Sequence, residues 1–189
     1  MLREARQAFP RLALQLIEGR TAELLEQLRR GSVDAMLLAL PVPGDWCTVD
    51  PLFFESFRLV CPAGHGIAGM RTPDLADLAG DDLLLLEEGH CLRDQALSLC
   101  ANAGQGRLAT SLETLWNMIA AGEGYSVLPA LSTSGREGLA GLVAVRPLAD
   151  STAGRTVALA WRRTDPRGAA FLEFAAMLRS RLPEGVRLP

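Results

Sequence analysis

Two cysteines and their polar neighbours are the residues whose types and spacing best suit chemistry. Cys91 is flanked by His90 and Arg93, and Cys100 follows nine residues later. Unpaired backbone N–H groups and the positive end of the helix dipole favour a thiolate at a helix start. His90 and Arg93 add donors or positive charge, and Asp94 can accept a proton or hold Arg93. The pattern therefore predicts a reactive thiolate at Cys91.

The spacing of the two cysteines constrains any bond between them. On one regular helix, nine residues correspond to about 13.5 Å of rise and about 180° of rotation. A disulfide needs Cα atoms within about 7 Å. A bond between Cys91 and Cys100 therefore requires the helix to unwind, which is the geometry of a redox switch. The alternative is that both are inert buried thiols, a common state of free cysteines in α/β proteins.

The elements that position Cys91 follow from apolar patterning. Residues 83–86 are four leucines, and this short apolar run predicts a strand that is buried on both faces. Gly89 then allows a sharp turn. Apolar residues at positions i, i+4, i+7 and i+11 predict a helix from Cys91. They are Leu92, Ala96, Leu99 and Ala103.

The rest of the chain alternates between helical and strand patterns, which predicts mainly parallel α/β sheets. The first predicted helices are 2–8 and one that is capped by Thr21 and ends near Gly31. A short helix is predicted from Thr72-Pro73 to Gly80, and a further one begins with a capping box at 110–113. The last predicted helix carries Phe171, Phe174, Ala175 and Leu178. The predicted strands are 11–16, 33–40, 125–128, 142–145 and 156–161, and residues 49–54 and 57–61 are predicted to form a strand pair or one bent strand.

Composition excludes several classes of function. The net charge of −3 argues against a nucleic-acid surface on this chain, because duplex binding needs clustered Lys and Arg. No apolar run reaches the length of a membrane span, and the start lacks an export signal, so a cytoplasmic location is expected. No zinc spacing, P-loop or GxGxxG motif occurs, so neither a metal nor a cofactor is expected. Cys47 and Cys61 lack polar neighbours in sequence and are interpreted as packing residues.

Several motifs resemble the effector-binding domain of LysR-type transcriptional regulators, and the resemblance covers essentially the whole chain. The broad pattern consists of Leu24, Leu28, Gly31, Val33 and Asp34, then Pro51-Leu52 and Asp77-Leu78. Other motifs are similar to those of the peroxide-sensing members of that family. They are residues 89–96 followed by Cys100, residues 110–115 with Asn117-Met118, and residues 128–131.

The resemblance implies an α/β fold like that of periplasmic binding proteins, with two α/β subdomains and a crossover hinge. Subdomain I is expected to hold residues 1–54 plus 163–189, and subdomain II, with the redox switch, residues 55–162. Compared with the family, the winged helix-turn-helix, the linker helix and the first strand of the effector domain are expected to be absent from this chain. The loop 101–108 is expected to be shorter.

The resemblance also implies a function, which is that of a regulatory domain and not of an enzyme. Cys91 is implied to react with hydrogen peroxide and Cys100 to resolve the product as a reversible disulfide. The refolded segment is implied to re-pack a homodimer or homotetramer. Thr21, His90, Arg93, Asp94 and Arg162 are implied to line or support the peroxide pocket. DNA would be bound only through the missing N-terminal domain, and RNA polymerase and glutaredoxin- or thioredoxin-type reductants are implied as further partners.

Other functions stay open at this point. The chain could be a LysR-type effector domain that binds an organic metabolite, with Cys91 incidental. It could also be a thiol peroxidase, which turns over many times with a reductant. A periplasmic solute-binding protein is a third alternative, although no export signal is seen.

Overall fold

The chain forms two units. The computed structural model describes residues 2–78, 82–87, 91–99 and 106–189. The first unit is Met1–Glu55 with Arg155–Pro189, and the second is Ser56–Gly154. From the sequence, residues 155–162 were expected in the second unit. They belong instead to the first unit, because they pair antiparallel with one of its strands.

The regular elements are numbered here in chain order. The helices are α1 (Leu2–Ala8), α2 (Thr21–Arg30), α3 (Cys91–Leu99), α4 (Leu112–Ala120) and α5 (Gly168–Arg179). The strands are β1 (Ala35–Ala39), β2 (Cys47–Pro62), β3 (Leu84–Leu86), β4 (Arg107–Ala109), β5 (Ser126–Pro129), β6 (Val143–Pro147), β7 (Gly154–Arg162) and β8 (Val186–Arg187). Short 3-10 helices are Gly66–Gly69, Leu75–Asp77, Ala130–Thr133 and Glu137–Leu139.

The first unit is a sheet with helices packed on it. β7 lies between β1 and β2 in the strand order, and β1 and β7 run antiparallel. Alternate residues of β1, Met36 and Leu38, face α2 and are buried with its Leu28. α2 ends at Gly31, whose positive φ of 85° allows its N–H to reach back to the last turn.

The second unit contains two strand groups and two apolar clusters. β5 and β6 both pair antiparallel with β2, whereas β3 and β4 form a parallel pair. The tryptophan cluster consists of Val60, Leu84, Leu86, Ala109, Leu115, Trp116, Ile119 and Leu128. The tyrosine cluster consists of Phe57, Leu59, Cys61, Ile67, Ala68, Leu78, Leu83, Leu85, Ala96, Tyr125, Val127, Ala144, Leu148 and Ala153. Because β3 leucines alternate between the clusters, both faces of this strand are buried, as the apolar run predicts.

The expectation of mainly parallel sheets was wrong. The ladders of β2 with β5, β6 and β8 are antiparallel, as is that of β1 with β7. Residues 49–54 and 57–61, expected as a strand pair or one bent strand, belong to a single long strand, β2, and the chain passes from one unit into the other after Glu55. Antiparallel strands that pair with β2 need no βαβ crossover. The alternation of helices and strands along the chain therefore did not predict the relative direction of neighbouring strands.

Some predicted elements and caps also differ. Residues 11–16 form no strand, because their alternating apolar pattern finds no pairing neighbour among the described residues. The predicted strand at 33–40 shortens to β1 and is not fully buried, since Leu37 is half exposed. Thr21 begins α2 rather than capping it, because the N-cap residue is Arg20.

The predicted starts of α4 and of the short helix near residue 75 also differ from the observed ones. α4 is capped by Ser111, whose hydroxyl accepts a hydrogen bond from the Thr114 N–H at 3.1 Å, one residue after Thr110, the first residue of the predicted capping box. The short helix near residue 75 is opened by the Asp74 carboxylate, which accepts the Ala76 N–H, and not by Thr72-Pro73. Gly80, its predicted end, lies outside the described residues.

Candidate functional site

Cys91 stands at the first position of α3, five residues after Leu86, where the buried strand β3 ends. Arg93, in the first turn of α3, donates from Nη1 to the carbonyl oxygen of Leu86 at 3.3 Å. This bond fastens the start of the helix to the end of the strand. Asp94 lies in the same turn and is exposed. The geometry therefore places a cysteine, a cation and a carboxylate together at one helix start.

Two of the predicted site residues, His90 and Cys100, lie outside the described residues, and for Cys91 only the backbone is described. The helix that joins the two cysteine positions is nevertheless observed over Cys91–Leu99. Its predicted packing face is confirmed at Ala96, which is 3% exposed. Leu92 and Leu99 on the same face are half-buried.

α3 rests on both apolar clusters of its unit. Ala96 belongs to the tyrosine cluster, and Leu97 and Leu99 pack against that cluster. Leu92 instead packs against the tryptophan cluster. Any change in the conformation of α3 therefore acts on both clusters. Ser98 turns its hydroxyl back onto the Gln95 carbonyl at 2.7 Å, a local bond that weakens the helical preference of its residue.

Gly106 lies close to the backbone of Leu83, just before β4 begins. The N–H of Arg107 donates to the carbonyl oxygen of Leu83 at 3.2 Å, where β4 begins to pair with β3. A Cβ at Gly106 would lie 2.8 Å from that same carbonyl oxygen, and the φ of Gly106 is +29°. A glycine is therefore required for β4 to approach β3 this closely.

Thr21 and Arg162 both belong to the first unit but lie at opposite ends of α2. Thr21 is its first residue, and the Arg162 guanidinium donates from Nη1 to the carbonyl oxygens of Leu28 (2.7 Å) and Val33 (2.6 Å). Residues 21 and 28 are separated by about 10 Å along a helix. The structure therefore does not bring the guanidinium of Arg162 to the hydroxyl of Thr21.

Arg162 is also part of an ion-pair network at the end of β7. Its Nη2 donates to Asp165 Oδ2 at 2.8 Å, and Arg167 bridges Asp165 and Asp34. The hydrogen bond from Arg167 is the main cause that lowers the pKa of Asp165 below its usual range, with further lowering by the charge of Arg162. The described contacts of Arg162 thus hold the end of α2 and the turn after β7 in place.

Sequence reasoning missed a buried ion pair in the first unit. Glu55 is 0% exposed, and both Nε and Nη2 of Arg155 lie 2.9 Å from its Oε2. Glu55 is the last residue of β2 within the first unit, and Arg155 is the first residue of β7 after the chain re-enters it. The available signal was a glutamate that directly follows two phenylalanines and lies two residues before a third in β2, since a glutamate in such an apolar setting is almost never fully buried without a partner.

Cys47 and Cys61 are confirmed as packing residues. Both are buried, and burial raises the pKa of each thiol above its usual range. The Cys61 thiol contacts the Ala144 carbonyl oxygen, with Sγ at 3.8 Å. A thiol that resists ionisation is a poor nucleophile. These two cysteines therefore serve as internal comparisons for Cys91.

The described ranges hold neither a candidate metal cluster nor a helix that could span a membrane. Within them, no three His, Cys, Asp or Glu side chains gather in a group that could hold a metal ion. None of the helices there has the length and apolar character to cross a membrane.

Comparison with known proteins identifies the family. Residues 1–183 match the LysR substrate binding domain. The DNA-binding transcriptional dual regulator OxyR of Escherichia coli (strain K12) is 39% identical over 183 residues, which covers 93% of this chain and 59% of that protein. This chain thus spans about three fifths of the length of that curated relative.

Solved structures of OxyR have the same fold. The reduced OxyR regulatory domain from Pseudomonas aeruginosa is 36% identical with a TM-score of 0.86, covering 95% of this chain and 89% of that one. A mutant of Corynebacterium glutamicum OxyR with H2O2 bound is 31% identical with a TM-score of 0.85, covering 95% of this chain and 58% of that one. The predicted α/β fold of the periplasmic-binding-protein kind is confirmed. The chain therefore belongs to the LysR substrate-binding domain family, within which it is similar to the OxyR regulatory domains.

Proposed function

We propose that this chain is the regulatory domain of a LysR-type transcriptional activator that senses hydrogen peroxide through a reversible disulfide between Cys91 and Cys100. The observation that carries this proposal is the position of Cys91 at the start of α3, on a fold that a relative uses with H2O2 bound. The helix dipole and the nearby Arg93 favour the thiolate form, which is the form that reacts with peroxide.

The first step is a two-electron oxidation of Cys91. Its thiolate attacks one oxygen of H2O2, the O–O bond breaks, and hydroxide leaves and takes up a proton to become water. Cys91 becomes a sulfenic acid. Thr21, His90 and Arg93 are proposed to orient the peroxide and stabilise the departing oxygen, and Asp94 to hold a proton or Arg93. For Arg162, the contacts with α2 favour an indirect role, in which it supports the unit that carries Thr21.

The second step forms the disulfide and requires α3 to unwind. The Cys100 thiolate attacks the sulfenic sulfur, the S–O bond breaks, and the oxygen leaves as water after protonation. In the observed helix, the Cα atoms of Cys91 and Leu99 are about 12 Å apart. The next Cα reaches at most about 3.8 Å further in any direction. A distance of at least about 8 Å exceeds the roughly 7 Å limit for a disulfide, so the bond and the intact helix exclude each other.

The unwinding of α3 is proposed to transmit the oxidation of Cys91 to the rest of the protein. It withdraws Ala96 and Leu97 from the tyrosine cluster and Leu92 from the tryptophan cluster. The exposed apolar surface is proposed to re-pack a homodimer or homotetramer in the cytoplasm. This change would alter how helix-turn-helix domains outside this chain meet DNA and RNA polymerase. Glutaredoxin- or thioredoxin-type proteins would reduce the disulfide. The switch lies in the part of the chain that forms the second unit, Ser56–Gly154.

Mass spectrometry after one equivalent of peroxide tests the proposal. Non-reducing peptide maps should contain a Cys91–Cys100 cross-link that is absent in Cys91→Ser and in Cys100→Ser. The matched controls are Cys47→Ser and Cys61→Ser, which should leave the cross-link unchanged. A dominant cross-link from Cys91 to Cys47 or Cys61 would contradict the assignment. So would a peroxide-dependent change in hydrodynamic size that persists in Cys91→Ser.

Two further measurements separate this proposal from its rivals. With thioredoxin present as reductant, a thiol peroxidase turns over many times, whereas a sensor turns over slowly and changes its assembly. Because the family is described as substrate binding, a metabolite effector is the second candidate. Saturable heat release with an organic metabolite, together with no reaction of Cys91 with peroxide, would favour that candidate.

A further inference from the structure

The indole N–H of Trp116 is a polar group buried in the second unit. Trp116 is 1% exposed, and its Nε1 has no hydrogen-bond acceptor among the described residues. Most buried donors in proteins are satisfied, and leaving one unsatisfied costs free energy. The form of the protein described here therefore carries a local penalty at this residue.

The face of the same indole is covered by a cation that cannot relieve this penalty. The Arg136 Cζ lies 5.1 Å from the ring centroid, and Arg136 Nη1 is 2.5 Å from Glu113 Oε2. A guanidinium has donors only, so it cannot accept the indole N–H. The stacking fixes the ring plane, and the N–H edge stays inside the tryptophan cluster.

The tryptophan cluster links this residue to α3. Leu92, in the first turn of α3, packs against the cluster to which Trp116 belongs. When α3 is helical, Leu92 helps to close the cluster. When α3 unwinds, Leu92 leaves, and water or a backbone carbonyl gains access to the cluster. The environment of the indole N–H therefore depends on the conformation of α3.

We propose that Trp116 sets the redox equilibrium of the switch, because its unpartnered N–H raises the free energy of the form in which α3 is helical. This inference rests on the proposed function, since it concerns the Cys91–Cys100 disulfide. The unwound, oxidised form satisfies the N–H and is favoured to that extent. Trp116 acts as a positioning residue that biases the equilibrium, and it takes no part in the reaction with peroxide.

Trp116→Phe keeps an aromatic ring and removes the N–H. The variant and the unaltered chain are equilibrated in glutathione redox buffers, and the disulfide fraction is read by alkylation and mass spectrometry. The equilibrium constant for disulfide formation is expected to fall about tenfold in the variant, which corresponds to about 30 mV for two electrons. The matched control is Ile119→Val, which removes a methylene from the same cluster and should change the constant less than about twofold.

A second measurement uses the unaltered chain and does not depend on how the variant folds. The chain has three tryptophans, Trp46, Trp116 and Trp161, and therefore three indole N–H resonances. Single Trp→Phe substitutions at residues 46 and 161 assign the third by difference. On oxidation, the Trp116 N–H resonance should move downfield as the group gains an acceptor, while the other two stay in place.

The outcomes separate this inference from the proposed function. If Trp116→Phe leaves the equilibrium constant unchanged, or if the Trp116 resonance does not move on oxidation, the inference is overturned. An equal shift in Ile119→Val also overturns it, because packing then explains the effect. In each of these cases the disulfide still forms. If no Cys91–Cys100 disulfide forms in the unaltered chain, the proposed function itself fails.

Discussion

Two helices of the second unit have the same length and very different attachments. α3 and α4 each contain nine residues, and both pack against the tryptophan cluster. α4 buries Leu115, Trp116 and Ile119, whereas α3 buries Ala96 among its described side chains. A fully buried large apolar side chain contributes about 1.5–3 kcal/mol. α4 is therefore the more stable element, and α3 is the one that can unwind at small cost.

Hydrogen bonds of the serines in and next to the two helices also favour the greater stability of α4. Ser111 caps α4 by accepting the N–H of Thr114. In α3, Ser98 directs its hydroxyl at the Gln95 carbonyl, which competes with regular helical bonding. A cap lowers the free energy of the helical form, and back-bonding raises it. The helix proposed to unwind therefore has the weaker stabilising contacts of the two, and its neighbour has the stronger ones.

Alanine substitutions in the two helices should separate them most strongly. Ile119→Ala in α4 should lower the free energy of unfolding by about 2–5 kcal/mol, because it leaves a cavity in a closed cluster. Leu92→Ala in α3 should cost less than half of that, since Leu92 is half-buried and its site can collapse. Urea denaturation of the reduced chain measures both. Equal losses of unfolding free energy in the two variants would contradict the difference in stability between α3 and α4.

Native-state hydrogen exchange should rank the helices without any substitution. Amides of α4 should exchange through global unfolding, and amides of α3 through local opening with a free energy at least about 1.4 kcal/mol lower. This difference corresponds to at least about tenfold faster exchange in α3. The β5 amides that bond to β2 provide the reference for global unfolding. Protection of α3 equal to that of β5 would contradict a helix that is poised to unwind.

Removal of the α4 cap tests the polar part of the comparison. Ser111→Ala should destabilise the reduced chain by about 1 kcal/mol, since it leaves the Thr114 N–H without its acceptor. Ser111→Asp is the matched control, because it keeps a capping oxygen and should restore most of the stability. Thermal unfolding followed by circular dichroism measures both. A similar loss in Ser111→Asp would show that capping is not the cause.

The smallest expected effect has the opposite sign and lies in α3. Ser98→Ala removes the back-bond to Gln95 and adds the best helix former, so it should stabilise the helical form by about 0.5 kcal/mol. Disulfide formation in a glutathione buffer should then decrease about twofold. The control is Ser132→Ala, a serine of the second unit outside α3, which should leave the disulfide fraction unchanged. An increase in that fraction for Ser98→Ala would contradict the interpretation.

Patterns that are local in sequence predicted the elements around Cys91. The apolar run at 83–86 and the helical spacing from Leu92 carry their information within a few residues, and both predictions hold. β4 escaped prediction because Arg107 and Leu108 are exposed, so the strand exists through its pairing with β3 and not through an apolar pattern. Residues 11–16 have the reverse property, an apolar alternation without a paired neighbour in the described chain.

Contacts between distant positions could not be predicted from one sequence. Arg162 meets Leu28 across more than a hundred residues, and Glu55 meets Arg155 across one hundred. Neither partner carries a local signal that names the other. The resemblance supplied a role for Arg162, but the side-chain contacts determine what its guanidinium touches in this structure. The local elements around Cys91 were therefore more predictable than the long-range contacts of the scaffold.

The close approach of Gly106 to Leu83 has a consequence for the entropy of the switch. One end of the switch segment is held by β3 at Leu86, and the other is held where β4 begins. The chain between these points is already a closed loop in the reduced form. The proposed disulfide closes a smaller ring inside this loop, and the cost of closing either ring grows only with the logarithm of its length. A residue larger than glycine at position 106 would disturb the start of β4 and weaken the outer closure, whereas the length of the disulfide ring would stay the same.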